Sequence, residues 1–223
     1  MKAHQSNKHP ITCGDDGKEG RIMTAYDQRR EHVLDGCAQV FAEKGYDSAS
    51  IRDIARAVEM SAGGLYHYCS NKQDLLYQVC DRAFRSLIAR LEEGLSHVDD
   101  PQERLYTVFV THLTYFLDRP DELITLTENL SSLTPPGSAK IRELQRCYYD
   151  IVSGVLASFP GITATSLRVA TMTLFGSINW VHTWYRRGID GGADELARVM
   201  TDLFLNGLAP AYKCSPSSPK HVD

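Results

Sequence analysis

The chain has no run of 18 apolar residues, no C-x-x-C pair, no glycine-rich phosphate loop, no strand-like alternation and no internal repeat. Without a long apolar run no membrane-spanning helix is expected. Its six cysteines, Cys13, Cys37, Cys69, Cys80, Cys147 and Cys214, are scattered, so neither zinc-site spacing nor a dense disulfide framework arises, a pattern that suits a reducing cytoplasm. Glu-x-x-His pairs, a nucleophile elbow and a zinc-helix motif are missing too, which leaves no catalytic residue, metal or cofactor to expect. His4, His9 and Cys13 have no surroundings that would close a metal site, and the polar stretch 1–20 lacks a signal-peptide pattern. A basic excess is also absent. The formal net charge is −4, and between Arg21 and Lys72 seven basic residues meet seven acidic ones. Any polyanion partner must therefore be held by a few placed contacts and by dimerisation, with steep salt dependence.

What is present is clearest between Ser50 and Lys72. Ile51, Ile54, Ala55 and Val58 recur at three- and four-residue spacing, one buried stripe of a short helix. Ser50 serves as its N-cap, with Asp53 three residues on as the capping-box partner. After a turn at Glu59–Met60, Ser61 caps a second helix whose Leu65 and Tyr66 are expected to pack back on the first, leaving its small early residues outward. This pattern is a helix-turn-helix, in which the start of the second helix enters the DNA major groove. A preceding helix from Ala25 to Lys44 carries Val33, Leu34, Cys37, Ala38 and Phe41 on one face and stops at Gly45.

The order Ile54-Ala55, Met60 through Tyr68, Ser70-Asn71-Lys72 and Leu75-Leu76 resembles the N-terminal signature of the TetR family of transcriptional regulators over about 50 residues. Two positions depart from the pattern: Glu59 stands where Gly is usual in the turn, and Cys69 where an aromatic is usual. The resemblance implies a double-stranded DNA operator as partner. It implies DNA contacts at Ser50, Arg52, Ser61, Ala62, Gly63 and Gly64, and at Tyr66, His67, Tyr68 and Lys72, with Lys72 and the tyrosines chiefly on phosphates.

The length accommodates a small domain of about 50 residues and one of about 150. The fold class is all-α: a flexible tail over 1–20, a three-helix DNA-binding domain over 21–71, a helical effector-binding and dimerisation domain over 72–209, and a flexible tail over 210–223. Asn71 caps a helix to about Ser96, and Asp99-Asp100-Pro101 opens another to Leu117. Pro120 starts a further segment. Pro135-Pro136-Gly137 precedes a helix ending near Ser158, and Phe159-Pro160-Gly161 precedes one long helix to about Arg187. The last helix is Ala193–Asn206.

In the larger domain His112, Tyr115 and Phe116, then Tyr148, then Met172, Phe175, Asn179, Trp180 and Trp184, mix apolar walls with a few polar groups, as a small-molecule pocket requires. Behind a TetR-like reader they imply a small hydrophobic effector. A fainter resemblance around Phe175–Trp180 and Trp184–Gly188 is to members that sense acyl-coenzyme A, with Arg142, Arg146, Arg186 and Arg187 as candidates for its phosphates. The resemblance further implies a homodimer through the last two helices, on stripes that include Val169, Leu196, Val199, Leu203, Phe204 and Leu208. The function expected is a ligand-responsive repressor in the cytoplasm. The alternatives are an architectural DNA-binding protein without effector, or a thiol sensor acting through Cys69 and Cys80.

Overall fold

The computed structural model describes residues 24–207, and among these every regular element is helical. The expectations for 1–20, His4, His9 and Cys13, and those for Leu208, Cys214 and 210–223, lie outside the described residues.

Helix α1 (Ala25–Lys44) begins on a Thr24–Asp27 capping box and stops at Gly45, whose φ of +74° suits glycine. Helix α2 (Ile51–Ala57) opens on the reciprocal Ser50–Asp53 box that the sequence predicts. Ser61 caps α3 (Ala62–Leu65), its hydroxyl accepting from the Gly64 N–H. Between them Glu59 takes φ +54°, a left-handed conformation that costs a non-glycine residue about 1 kcal/mol. Val33, Leu34, Cys37, Phe41, Ile54, Val58 and Leu65 form the buried centre of this head. Gly36 is required where α1 meets Val58, since a Cβ there would stand 2.3 Å from the valine Cγ1. One expectation is corrected. Tyr66 does not pack back on α2 but is 54% exposed, because α3 is a single turn and Tyr66 already lies at its C-terminal cap.

Helix α4 (Lys72–Leu95), capped by Asn71, leaves the head and carries a buried stripe of Leu75, Leu76, Val79, Leu87, Leu91 and Leu95. Then come α5 (Pro101–Asp118), with Asp100 accepting from two backbone N–H groups, and α6 (Pro120–Ile124). A π-helical turn, Thr125–Asn129, and a 3-10 turn, Leu130–Ser132, follow directly. Helix α7 (Gly137–Ala157) packs against α4 and α8 (Ala164–Asn179) against α7. The single helix expected to Arg187 is instead broken at Trp180, with α9 (Val181–Trp184) beyond the break. Two side chains occupy carbonyls there: His182 Nδ1 lies 2.8 Å from the Asn179 oxygen, and the Thr183 hydroxyl donates to the Trp180 oxygen at 2.8 Å. Helix α10 (Ala193–Asn206) lies on α5.

Head and body meet along α1, α4 and α6. Arg82 of α4, its side chain 9% exposed, reaches Glu31 and Asp35 of α1 and Glu122 of α6. The Tyr115 hydroxyl donates to the other Glu122 oxygen at 2.6 Å. Burial pushes the Glu122 carboxyl up, and the Arg82 guanidinium opposes that rise.

Candidate functional site

The head presents Ser50, Arg52, Ser61, Gly63, Tyr66 and His67 exposed, and Ala62, Gly64, Tyr68 and Lys72 half-buried. A Cβ on Gly63 would meet only the Ser61 oxygen at 3.9 Å, whereas one on Gly64 would press on Ser61 and the Met60 methyl at 3.3 and 3.4 Å. Gly63 is thus the open position of α3 and Gly64 the packed one. Tyr68 stacks on Tyr26 of α1, ring centroids 5.2 Å apart. Lys72 turns inward: its ammonium donates to the carbonyls of Tyr46 (2.7 Å), Asp47 (3.4 Å) and Ala49 (2.9 Å) and lies over the Tyr46 ring.

Other cations of the head are engaged as well. Arg29 donates to the Val58 carbonyl and Arg30 to Gln78, while Lys44 pairs with Asp53 at 2.8 Å. The Lys44 hydrogen bond and Ser50 together hold the Asp53 carboxyl well below the usual range. Arg52 is exposed and makes no ion pair among the described residues. What the head offers a polyanion is hydroxyls, backbone N–H groups, one open glycine, Arg52 and the largely exposed Arg56, which lies 3.7 Å from Asp53.

In the body a cavity of about 630 Å³ opens between α4, α5, α7 and α8, with residues 123–130 along one side. Of the nine predicted effector residues, His112, Phe116, Tyr148, Met172, Phe175 and Asn179 line it. Three do not, which corrects the expectation of one shared cavity. Tyr115 is buried, its hydroxyl held by Glu122 and its ring beneath Arg90 and Arg119. Trp180 and Trp184, 63% and 43% exposed, line a separate groove beside α10, because the break after Asn179 changes the direction in which the following residues face. Among the arginines, Arg146 stands at the cavity, exposed and without an ion pair among the described residues; Arg187 lies 3.9 Å from Asp118 and lines a smaller cavity that shares His112, Phe116 and Leu123 with the large one. Arg142 lines a small groove elsewhere, and Arg186 is exposed.

Sequence reasoning missed the π turn. Leu126, Thr127 and Leu130 face the cavity, while on the other side of the same segment the Thr125 hydroxyl donates to the Ala38 carbonyl at 3.4 Å. The Asn129 side chain accepts from the Tyr46 N–H at 2.6 Å and donates to the Phe41 carbonyl at 3.3 Å. Asn129 is 5% exposed, a buried amide that holds the end of α1 and the loop into α2. In the sequence this role is marked by no more than an asparagine within an otherwise helical stretch.

Cys37, Cys69 and Cys80 are buried, and Cys147 is half-buried. Burial pushes Cys69 up to about 11 and raises Cys37 and Cys80 further, so none offers a thiolate near neutral pH. Among the described residues no helix is long and apolar enough to cross a membrane, and no acid, histidine and cysteine cluster could hold a metal.

The family model described as bacterial regulatory proteins, tetR family, matches residues 33–79, and the one described as tetracyclin repressor-like, C-terminal domain, matches residues 98–208. A TetR-family transcriptional regulator from Bordetella parapertussis is similar at 30% identity, with 82% of this chain and 97% of that one covered and a TM-score of 0.77. The fatty acid metabolism regulator protein of Bacillus subtilis is 25% identical over 183 residues, 79% of this chain and 93% of that protein. The structure of AibR in complex with isovaleryl coenzyme A and operator DNA shares the fold, with a TM-score of 0.68 at 23% identity, covering 78% of this chain and 97% of that one.

Proposed function

Because the chain belongs to the TetR family of bacterial regulatory proteins, we propose that it is a repressor that binds a palindromic DNA operator as a homodimer and releases it when a small hydrophobic or acyl-coenzyme A effector enters the cavity. The reading assigns operator contact to 21–71, through Ser50, Arg52, Ser61, Ala62, Gly63, Tyr66, His67 and Tyr68, with Lys72 holding the loop behind them. It assigns effector binding and pairing to 72–209, and it places the protein in the cytoplasm with its operator. The walls are chiefly aromatic and aliphatic with a few polar groups, so we read the cavity as a binding site.

One observation carries this reading. The segment that walls the cavity through Leu126 and Leu130 is the segment that holds α1 through Thr125 and Asn129. An effector pressing on one side of the π turn therefore acts on the seat of the head on the other. Only a ligand that favours the operator-incompetent arrangement releases DNA, by the ratio of its affinities for the two states. Arg146 beside the cavity suits the phosphates of coenzyme A, and the aromatic and aliphatic walls suit an acyl group. The relatives named for fatty acid metabolism and for an isovaleryl-coenzyme A complex lie on the same side. An architectural protein has no use for the cavity, and the buried thiols disfavour a thiol sensor.

The test is fluorescence anisotropy of a labelled operator, found by in vitro selection, titrated with octanoyl-coenzyme A. Release is expected, with the thioester outperforming free octanoate and the preference lost in Arg146→Ala. Equal release by the free acid would remove coenzyme A from the reading, and no release by any apolar compound would remove the effector.

A further inference from the structure

The large cavity carries Thr127, Gln145, Arg146 and Asn179 at exposed or half-buried positions, and its one fully buried polar pair is His112 and Tyr148. His112 is 2% exposed and Tyr148 5% exposed, and His112 Nδ1 lies 3.0 Å from the Tyr148 hydroxyl. The other ring nitrogen, Nε2, is buried with no hydrogen-bond partner. The Phe116 ring lies beside the imidazole, centroids 4.7 Å apart, and Leu123 lines the same cavity. The imidazole also borders a second cavity, of about 240 Å³, so it stands in the partition between the two. Buried polar atoms are nearly always paired, and an unpaired one calls for an explanation.

Counting protons defines what this pair lacks. Burial pushes His112 down to about 3 and raises the Tyr148 phenol, so near neutral pH the imidazole carries one N–H, the phenol one O–H, and neither is charged. Their mutual hydrogen bond uses one of these two protons. If the phenol donates to Nδ1, the spare is Nε2–H; if Nδ1–H donates to the phenol, the spare is the phenol O–H. Either tautomer leaves one donor without a protein acceptor among the described residues, on residues that both line the large cavity.

We propose that His112 and Tyr148 are an oxygen reader: the effector carries a neutral carbonyl or hydroxyl oxygen on its buried portion, and that oxygen accepts the pair's spare hydrogen bond. The proposal rests on the effector reading of the cavity and narrows its ligand class. A plain hydrocarbon leaves the donor unmet. A carboxylate at this depth would be a buried charge facing only a neutral donor, which is costly. A thioester carbonyl, or an oxygenated carbon in an acyl chain or ring, satisfies the pair while any anionic end turns outward to Arg146.

Ethylbenzene and acetophenone have nearly the same shape and differ by one carbonyl. Their Kd values, measured by calorimetry on the full chain and on a His112→Phe/Tyr148→Phe double variant, form a cycle. Removing both polar partners together leaves neither newly unpaired, which favours a folded variant. The affinity of acetophenone relative to ethylbenzene is expected to fall about tenfold in the double variant. An unchanged ratio, or no binding of either compound to the native chain, overturns the proposal. A second measurement needs no variant: in protein labelled with nitrogen-15 histidine, acetophenone should displace the His112 ring-nitrogen resonances while ethylbenzene leaves their tautomer pattern in place, and equal responses to both overturn the proposal. If octanoyl-coenzyme A fails to release operator while the affinity ratio still falls, the acyl-coenzyme A reading is lost and the oxygen reader stands. Where octanoyl-coenzyme A does bind, tighter binding than its thioether S-octyl-coenzyme A places the oxygen at the thioester, and tighter binding of the 3-oxo form than of octanoyl-coenzyme A places it in the chain.

Discussion

His112 shows how one buried side chain links stability to pH. Its folded-state value of about 3 lies below the ordinary 6.5, so between these values the unfolded chain binds a proton that the folded chain refuses. Stability is therefore full above about 6.5 and is lost as pH falls toward 3, with a slope of about 1.4 kcal/mol per pH unit for one proton. Chemical denaturation of the native chain and of His112→Phe/Tyr148→Phe at pH 7.5 and 5 should show the native chain losing more, and equal losses would remove His112 as the cause. Lys72 makes a different case. It donates to three carbonyls of the loop between α1 and α2. Lys72→Ala is thus expected to lower the melting temperature by several degrees and weaken operator binding on every sequence, with the salt slope unchanged. A salt slope reduced by about 1 would instead put Lys72 on a phosphate.

Among elements, the turn of greatest consequence is the π-helical one. Asn129→Ala removes two buried hydrogen bonds and leaves the Tyr46 N–H and Phe41 carbonyl to find other partners, a loss of about 1–3 kcal/mol. If this turn transmits effector occupancy, the variant should bind effector with near-native Kd while the change in operator affinity on saturation shrinks several-fold. Calorimetry beside operator anisotropy separates the two, and an undiminished response would move transmission to α4. Most elements were legible in the sequence because their signals are local: the capping residues Ser50, Ser61, Asn71 and Asp100 and the stop at Gly45 each act within a turn. The break at Trp180 was not, since it arises where the His182 and Thr183 side chains take carbonyls in a stretch whose apolar pattern runs on unbroken. That break also explains the site. The aromatic and polar composition of the cavity could be read from Phe116, Tyr148 and Phe175, but the outward direction of Trp180 and Trp184 depends on a change of helix phase that spacing alone does not reveal.

For the molecule as a whole, the apolar surface left uncovered lies on α8 to α10. Val169, Trp180, Trp184, Ile189, Val199 and Leu203 are all exposed. The stripe expected on α10 divides in two: Leu196 is buried and Phe204 meets Phe109 of α5, centroids 6.1 Å apart, while Val199 and Leu203 face out. Leu203→Glu should therefore give a folded monomer with an unchanged helical spectrum and lost operator binding. Phe204→Glu, by contrast, should melt early because it strikes the seam between α10 and α5. Sedimentation of Leu203→Glu as an intact dimer would relocate the interface.

The buried amide of Asn129 has a further consequence for how such proteins can be recombined. The end of α1 and the loop that follows are completed by a side chain lying more than eighty positions away in the sequence. A chimaera that joined residues 24–71 to the body of a relative would part the loop from the group that satisfies it. Grafts intended to give this operator preference to another sensor should therefore carry residues 125–132 with them, so that the transplantable unit is discontinuous in the gene though contiguous in space.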